Sequence, residues 1–132
     1  MIHLLNFGGT VPGVPVTPAF REAAERDIAK LESDLGLYLS GELEEDIFRV
    51  CRLNNGIYGQ RQGGRNQMLR VKAPYGAIDA EQLEALADVA ERWSRGWGHL
   101  TTRQNVQFHF VQLEDVPAAL RHLADVGMTS RG

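Results

Sequence analysis

Residues 101–111 read TTRQNVQFHFV, and residues 67–74 read QMLRVKAP. Successive side chains of a strand point to opposite faces, so each segment can be sorted by parity. In the first, Val106, Phe108 and Phe110 share an apolar face, while Asn105, Gln107 and His109 lie opposite, roughly in phase with Thr101 and Arg103. In the second, Leu69, Val71 and Ala73 oppose Met68, Arg70 and Lys72. Each strand therefore has one core face and one polar face, the pattern of an antiparallel sheet covered on one side. Placed in one sheet, the uncovered faces present Arg70, Lys72, Thr101, Arg103, Asn105, Gln107 and His109, a dense set of donors without a carboxylate.

Outward from these strands, Asp79 is placed to cap a helix from Ala80, with Gln82 completing a capping box. Leu83, Leu86, Ala87, Ala90 and Trp93 are its expected apolar stripe and Gly96 its end. A further helix is expected from about Asp115 to Val126, with Pro117 in its first turn and Gly127 after it. Upstream, Thr17 and Pro18 start a helix whose residues Phe20, Ala24, Ile28, Leu31 and Leu35 recur at helical spacing until Gly36 offers a stop. Ser40 to Phe48 suggests a short second helix. From Arg49, RVCRLNNGIYGQ has the composition of a strand, and RQGGR that of a hairpin loop; Leu100 to Thr102 is expected to be extended. Residues 8–18 read as an irregular arm. The order from residue 49 is strand, strand, helix, strand, helix. It predicts an α+β fold with helices packed on one face of an antiparallel sheet, of the ferredoxin-like kind.

The 132 residues are 43% hydrophobic and 23% charged, enough for one ordinary domain. No apolar run of about 18 residues is present to span a membrane, and the opening MIHLLNFGG lacks the pattern of a secretory signal, so the cytoplasm is the default expectation. The single cysteine, Cys51, can neither close an internal disulfide nor assemble a cluster site, and the four histidines show no metal-ligand spacing. No metal ligand set and no catalytic triad can be assembled.

The net charge of -3 conceals three blocks: residues 1–46 sum to -6, residues 47–72 to +6 and residues 73–132 to -3. The middle block holds Arg49, Arg52, Arg61, Arg65, Arg70 and Lys72 with no acid among them, so it should attract an anion. One reading of the polar sheet face is a plain solvated surface. The other is a platform on which guanidinium groups make bidentate contacts to carboxylates or oxyanions. Nucleic acid is disfavoured by a pI near 5.8 and by the assignment of Phe108 and Phe110 to the core face rather than to a stacking surface.

The segments LNNGIYGQRQ, QMLRVKAPYG and HLTTRQNVQFHFV, in this order and with a helix between the last two, resemble the N-terminal ferredoxin-like half-domain of siroheme-dependent assimilatory nitrite and sulfite reductases. The resemblance extends from about Gly41 to Gly127. It divides the chain into an N-terminal arm and first helix over residues 1–40 and the half-domain over 41–132. It implies a parent oxidoreductase that carries siroheme and a [4Fe-4S] cluster and performs six-electron reduction of sulfite to sulfide or nitrite to ammonia. Carried onto this sequence, it makes Arg70 the contact to the anionic substrate. Thr101, Thr102, Arg103, Gln107 and His109 become siroheme contacts, and Lys72 supports them. Thr102 stands where the family often has Asn.

The cluster cysteines, a further substrate arginine and the catalytic lysines of the family lie beyond this half-domain. The 132-residue chain alone is therefore expected to be inactive and to hold neither cofactor tightly. Its implied partners are the remainder of the same polypeptide and, for the parent, an electron donor, ferredoxin or a flavoprotein. Neither nucleic acid nor membrane is expected, and an isolated half-domain could form a homodimer in place of its missing half. Two alternatives stay open: a half-domain of a related siroheme-family enzyme of corrinoid biosynthesis, and a free-standing, non-catalytic module that binds anions or tetrapyrroles.

Overall fold

The structure, a computed structural model, describes residues 15–61 and 63–131. Residues 8–14 of the expected arm lie outside the described residues. In chain order the elements are α1 (Pro18–Leu39), α2 (Glu45–Asn54), β1 (Ile57–Gly59), β2 (Asn66–Lys72), a 3₁₀ turn (Pro74–Gly76), α3 (Ala80–Trp93), β3 (His99–Leu100), β4 (Asn105–Gln112), a second 3₁₀ turn (Leu113–Asp115) and α4 (Val116–Ala124). The strands form one antiparallel sheet in the order β1-β2-β4-β3. The helices pack on one face of it, and Phe48, Leu69, Val89, Phe108 and Leu123 are among the side chains buried between the layers.

Local chemistry accounts for the helix starts. The Thr17 hydroxyl accepts the Phe20 N–H at 3.1 Å, and Pro18 opens α1. Asp79 and Gln82 form the expected capping box: Gln82 N–H donates to the Asp79 carboxylate at 2.8 Å, and Asp79 N–H to the Gln82 amide oxygen at 3.1 Å.

Several boundaries differ from the sequence expectation. Gly36 does not stop α1. It is helical and exposed, and the last turn continues because Tyr38 stacks on Phe48 with 4.3 Å between ring centroids. The glycine that ends the helix region is Gly41, at φ +82. The short helix expected at Ser40–Phe48 instead spans Glu45–Asn54, and it takes in the stretch from Arg49 that was expected to be a strand. Acids in its first turn and Arg52 in its last favour the helix dipole, and its Phe48 faces the core. In α3 the buried face is Gln82, Ala85, Leu86, Val89 and Ala90; the expected Leu83 and Ala87 are exposed. The extended segment at Leu100–Thr102 shrinks to His99–Leu100, and the last helix is confined to Val116–Ala124.

One departure lies inside the sheet. Leu69 pairs with Phe108 but Gln67 with Val111, so three steps along β4 face two along β2. The extra residue makes a β-bulge at which Phe110 takes φ +61. Val111, fully buried, thereby inherits the core position that simple alternation assigned to Phe110. Gln60 satisfies the disturbed ladder, accepting the Phe110 N–H at 2.6 Å.

Cys51 lies in α2, partly buried, and donates to the Asp34 carboxylate of α1 at 3.3 Å. Burial, and secondarily that hydrogen bond, push its thiol up to about 11. At about pH 8 the folded chain should therefore react with iodoacetamide roughly 100-fold more slowly than the unfolded chain. Equal labelling rates in native buffer and in denaturant would contradict this packing.

Candidate functional site

The helix-free face of the sheet carries the polar residues picked out by parity. Arg70, Gln107 and His99 form one row across β2, β4 and β3. Lys72 pairs with Asn105, and Thr101 closes the next row by donating its N–H to the Asn105 carbonyl at 3.1 Å. Arg70, Lys72 and Arg103 meet in an open cleft of about 420 Å³, with Tyr58, Tyr75 and Asn105 among its other walls.

Tertiary pairing sorts the basic block of residues 47–72. Arg49 pairs with Asp46 at 3.5 Å, Arg52 with Glu45 at 3.9 Å, and Arg65 with Glu114. Arg70, Lys72 and, from outside the block, Arg103 have no carboxylate within ion-pair distance among the described residues. The Arg70 guanidinium lies over the Tyr58 ring, 4.8 Å from its centroid, which fixes its plane while leaving its donors available. Its Nε is buried and has no hydrogen-bond partner. An orphaned buried donor in a half-exposed arginine is costly unless an acceptor reaches it from outside the chain.

The other expected site residues occupy different positions. Thr101 is a turn staple: its hydroxyl donates to Asn105 Oδ1 at 2.7 Å and accepts the Arg103 N–H at 3.3 Å. Thr102 is exposed at the tip of that turn. Gln107 stands beside Arg70 on the sheet face and does not line the cleft. His109 sits farther along β4, stacked on Trp97 at 5.6 Å, with the Gln60 amide 3.3 Å from its Nδ1. Burial, and then the nearby His99, hold its imidazole below the ordinary range, so it is mostly neutral near pH 7. Tyr58, Tyr75, Gln104 and His99 are site or sheet-face residues that sequence reasoning did not select. Tyr58 stands in a three-residue strand too short to show a period, and its face follows only from its pairing with Met68.

Among the described residues, no group of three or more His, Cys, Asp or Glu side chains is arranged to hold a metal ion, and no helix is long and apolar enough to cross a membrane. The cleft is thus a cationic, hydrogen-bonding surface with aromatic walls, suited to binding anions.

Fold and site define the class as an α+β half-domain that presents an acid-free sheet face. Residues 58–126 match the family model described as the nitrite/sulfite reductase ferredoxin-like half domain, and the chain belongs to that family. It is 31% identical over 126 residues to a ferredoxin–nitrite reductase of Leptolyngbya laminosa, covering 92% of this chain and 25% of that protein. It is 47% identical over 113 residues to the chloroplastic ferredoxin–nitrite reductase of Oryza sativa subsp. japonica, covering 83% of this chain and 18% of the relative. The solved structure of the Mycobacterium tuberculosis NirA protein shares the fold, with a TM-score of 0.67 and 24% identity over 89% of this chain and 25% of that one. The chain thus spans a quarter or less of the length of these relatives.

Proposed function

We propose that this domain forms one wall of the siroheme and anionic-substrate pocket of a larger nitrite or sulfite reductase. The observation that carries the reading is the convergence of Arg70, Lys72 and Arg103 on one cleft with no carboxylate paired to any of them. A carboxylate-rich tetrapyrrole supplies the acceptors that this surface lacks, and the buried, unpartnered Arg70 Nε fits such a ligand. Cys51 does not fit a cluster: it is alone in the sequence, and its thiol is held protonated against Asp34. The [4Fe-4S] centre of the parent therefore belongs to another part of that protein.

In this assignment Arg70 contacts the substrate anion, fixed in plane by Tyr58, and neutralises charge as the oxyanion is reduced. Lys72 and Arg103 hold cofactor carboxylates, with Thr101 and Thr102 shaping the turn that carries Arg103. Gln107 and His109 extend the contact along β4, His109 as a neutral hydrogen-bonding group. When bound, siroheme coupled to the cluster would relay electrons from the parent's external donor, six per turnover, to sulfite or nitrite. The Leptolyngbya laminosa and Oryza sativa relatives are named for ferredoxin, which supports ferredoxin over a flavoprotein as the parent's donor.

Titration of the chain with uroporphyrin, a tetrapyrrole octacarboxylate, tests the wall directly at low ionic strength. Arg70→Ala and Arg103→Ala should each weaken binding about tenfold, since each removes a charge-assisted contact. Arg49→Ala should change it less than about twofold, because that guanidinium is exposed and paired on α2. Equal losses for all three variants would reduce the interaction to net charge and sink the pocket assignment.

A further inference from the structure

Two residues with side chains take left-handed backbone conformations at the mouth of the cleft: Tyr75 in the turn after β2 and Gln104 in the turn before β4, both at φ 60. This region is disfavoured for any residue with a Cβ and persists only where the surroundings over-determine it. A hairpin turn that needs one such residue is ordinarily served by Gly or Asn. At Gln104, an exposed position, the side chain is not held by the core.

What the conformation achieves is visible in the backbone. The Gln104 carbonyl accepts the Ala73 N–H at 3.1 Å as the rung of the β2–β4 ladder that follows Lys72–Asn105, so the left-handed residue stands where the chain leaves that ladder for the turn that carries Arg103. The Gln104 Cγ lies 3.7 Å from the point where a Cβ on Gly76 would stand, so the Gln104 side chain lies beside the Gly76 backbone. Arg103 is thus pinned from both sides. Its own N–H donates to the Thr101 hydroxyl, and the carbonyl of the following residue ties the turn to the end of β2.

We propose that Gln104 is a positioning residue whose left-handed backbone locks the β3–β4 turn to the Ala73–Gly76 turn and so holds Arg103 in the cleft beside Arg70 and Lys72. Its side chain lines the cleft, but its role is carried by the backbone conformation and acts through Arg103. The proposal rests on the reading of the cleft as an anionic tetrapyrrole site.

The test separates backbone conformation from side chain. Valine is β-branched and resists φ 60, whereas glycine adopts it without cost. In uroporphyrin titrations of the full 132-residue chain, Gln104→Val should weaken binding about tenfold and Gln104→Gly less than about twofold. The Ala73 amide resonance should move in the valine variant and stay in place in the glycine variant. In an Arg103→Ala background, Gln104→Val should cause no further loss, the non-additivity expected when one residue acts through another. Should the valine variant fail to fold, Gln104→Ala carries the same expectations at smaller amplitude.

Three results would overturn the proposal: unchanged binding by the valine variant, a valine loss that persists in full without Arg103, or a glycine loss as large as the valine loss. If Arg103→Ala binds as tightly as the unaltered chain, the reading of the cleft itself fails. If Arg103→Ala weakens binding and Gln104→Val does not, only the positioning role is lost.

Discussion

Replacing Gly56 by alanine should cost about 3–4 kcal/mol, combining left-handed strain with overpacking, a large share of the stability of a domain this size. Gly56 takes φ +70 at the point where the end of α2, β2 and the C-terminal segment converge. Its carbonyl accepts the Arg70 N–H at 2.9 Å, while Ser130, from the far end of the chain, donates its hydroxyl to the neighbouring Asn55 carbonyl at 2.5 Å. A Cβ there would press into the Ser130 carbonyl oxygen and stand 2.9 Å from the Arg70 carbonyl oxygen. Both obstacles are backbone, so neither can rotate away. The controls are Gly41→Ala and Gly96→Ala, at φ +82 and +84, where an added Cβ meets nothing within 4 Å. These two should lose only about 1 kcal/mol, the conformational part alone. Urea denaturation of the three variants gives the comparison, and a Gly56 loss no larger than the controls would mean that the crowding is relieved by movement of the C-terminal segment.

Truncating Phe108 to alanine should cost about 3–5 kcal/mol, whereas the same change at Phe110, two residues along the same strand, should cost about 1 kcal/mol. Phe108 is 1% exposed and packs between β4 and the helices. Phe110 has been turned out of that layer by the bulge and is half-buried, with the Arg95 guanidinium 3.6 Å above its ring. Unbroken alternation would make the two losses similar. Thermal unfolding of both variants, with the same pair of mutations at the neighbouring Val106 and Val111 as a check on register, decides between the two arrangements.

These expectations mark where sequence information ends. Thr17, Pro18, Asp79 and Gln82 determined their helix starts because the hydrogen bonds involved span three residues and need nothing from the rest of the chain. The parity of β2 was equally local, and so Arg70 and Lys72 could be placed on the helix-free face from the sequence alone. Gly36 and the helix over Glu45–Asn54 were not legible, because Tyr38 and Phe48, which stack on each other, stand ten residues apart in two different elements.

The candidate site divides in the same way. Its acid-free strand faces are written in the sequence, and with the LRVKAP and TTRQNVQFH segments they were sufficient to point to the family. The composition of the cleft was not, because it depends on which cations find acids elsewhere. Arg65 is consumed by Glu114, 49 residues away, while Arg70 and Arg103, 33 residues apart in the chain, are left unpaired together. The bulge at Phe110 and the left-handed turn at Gln104 belong to the same class of feature. Periodicity describes one strand at a time, but register, bulges and ion pairs are properties of two elements that the fold has brought into contact. Short-range hydrogen bonding and the alternation of side chains were therefore determined by the sequence, and the pairing of distant charges and strands was decided only by the tertiary structure.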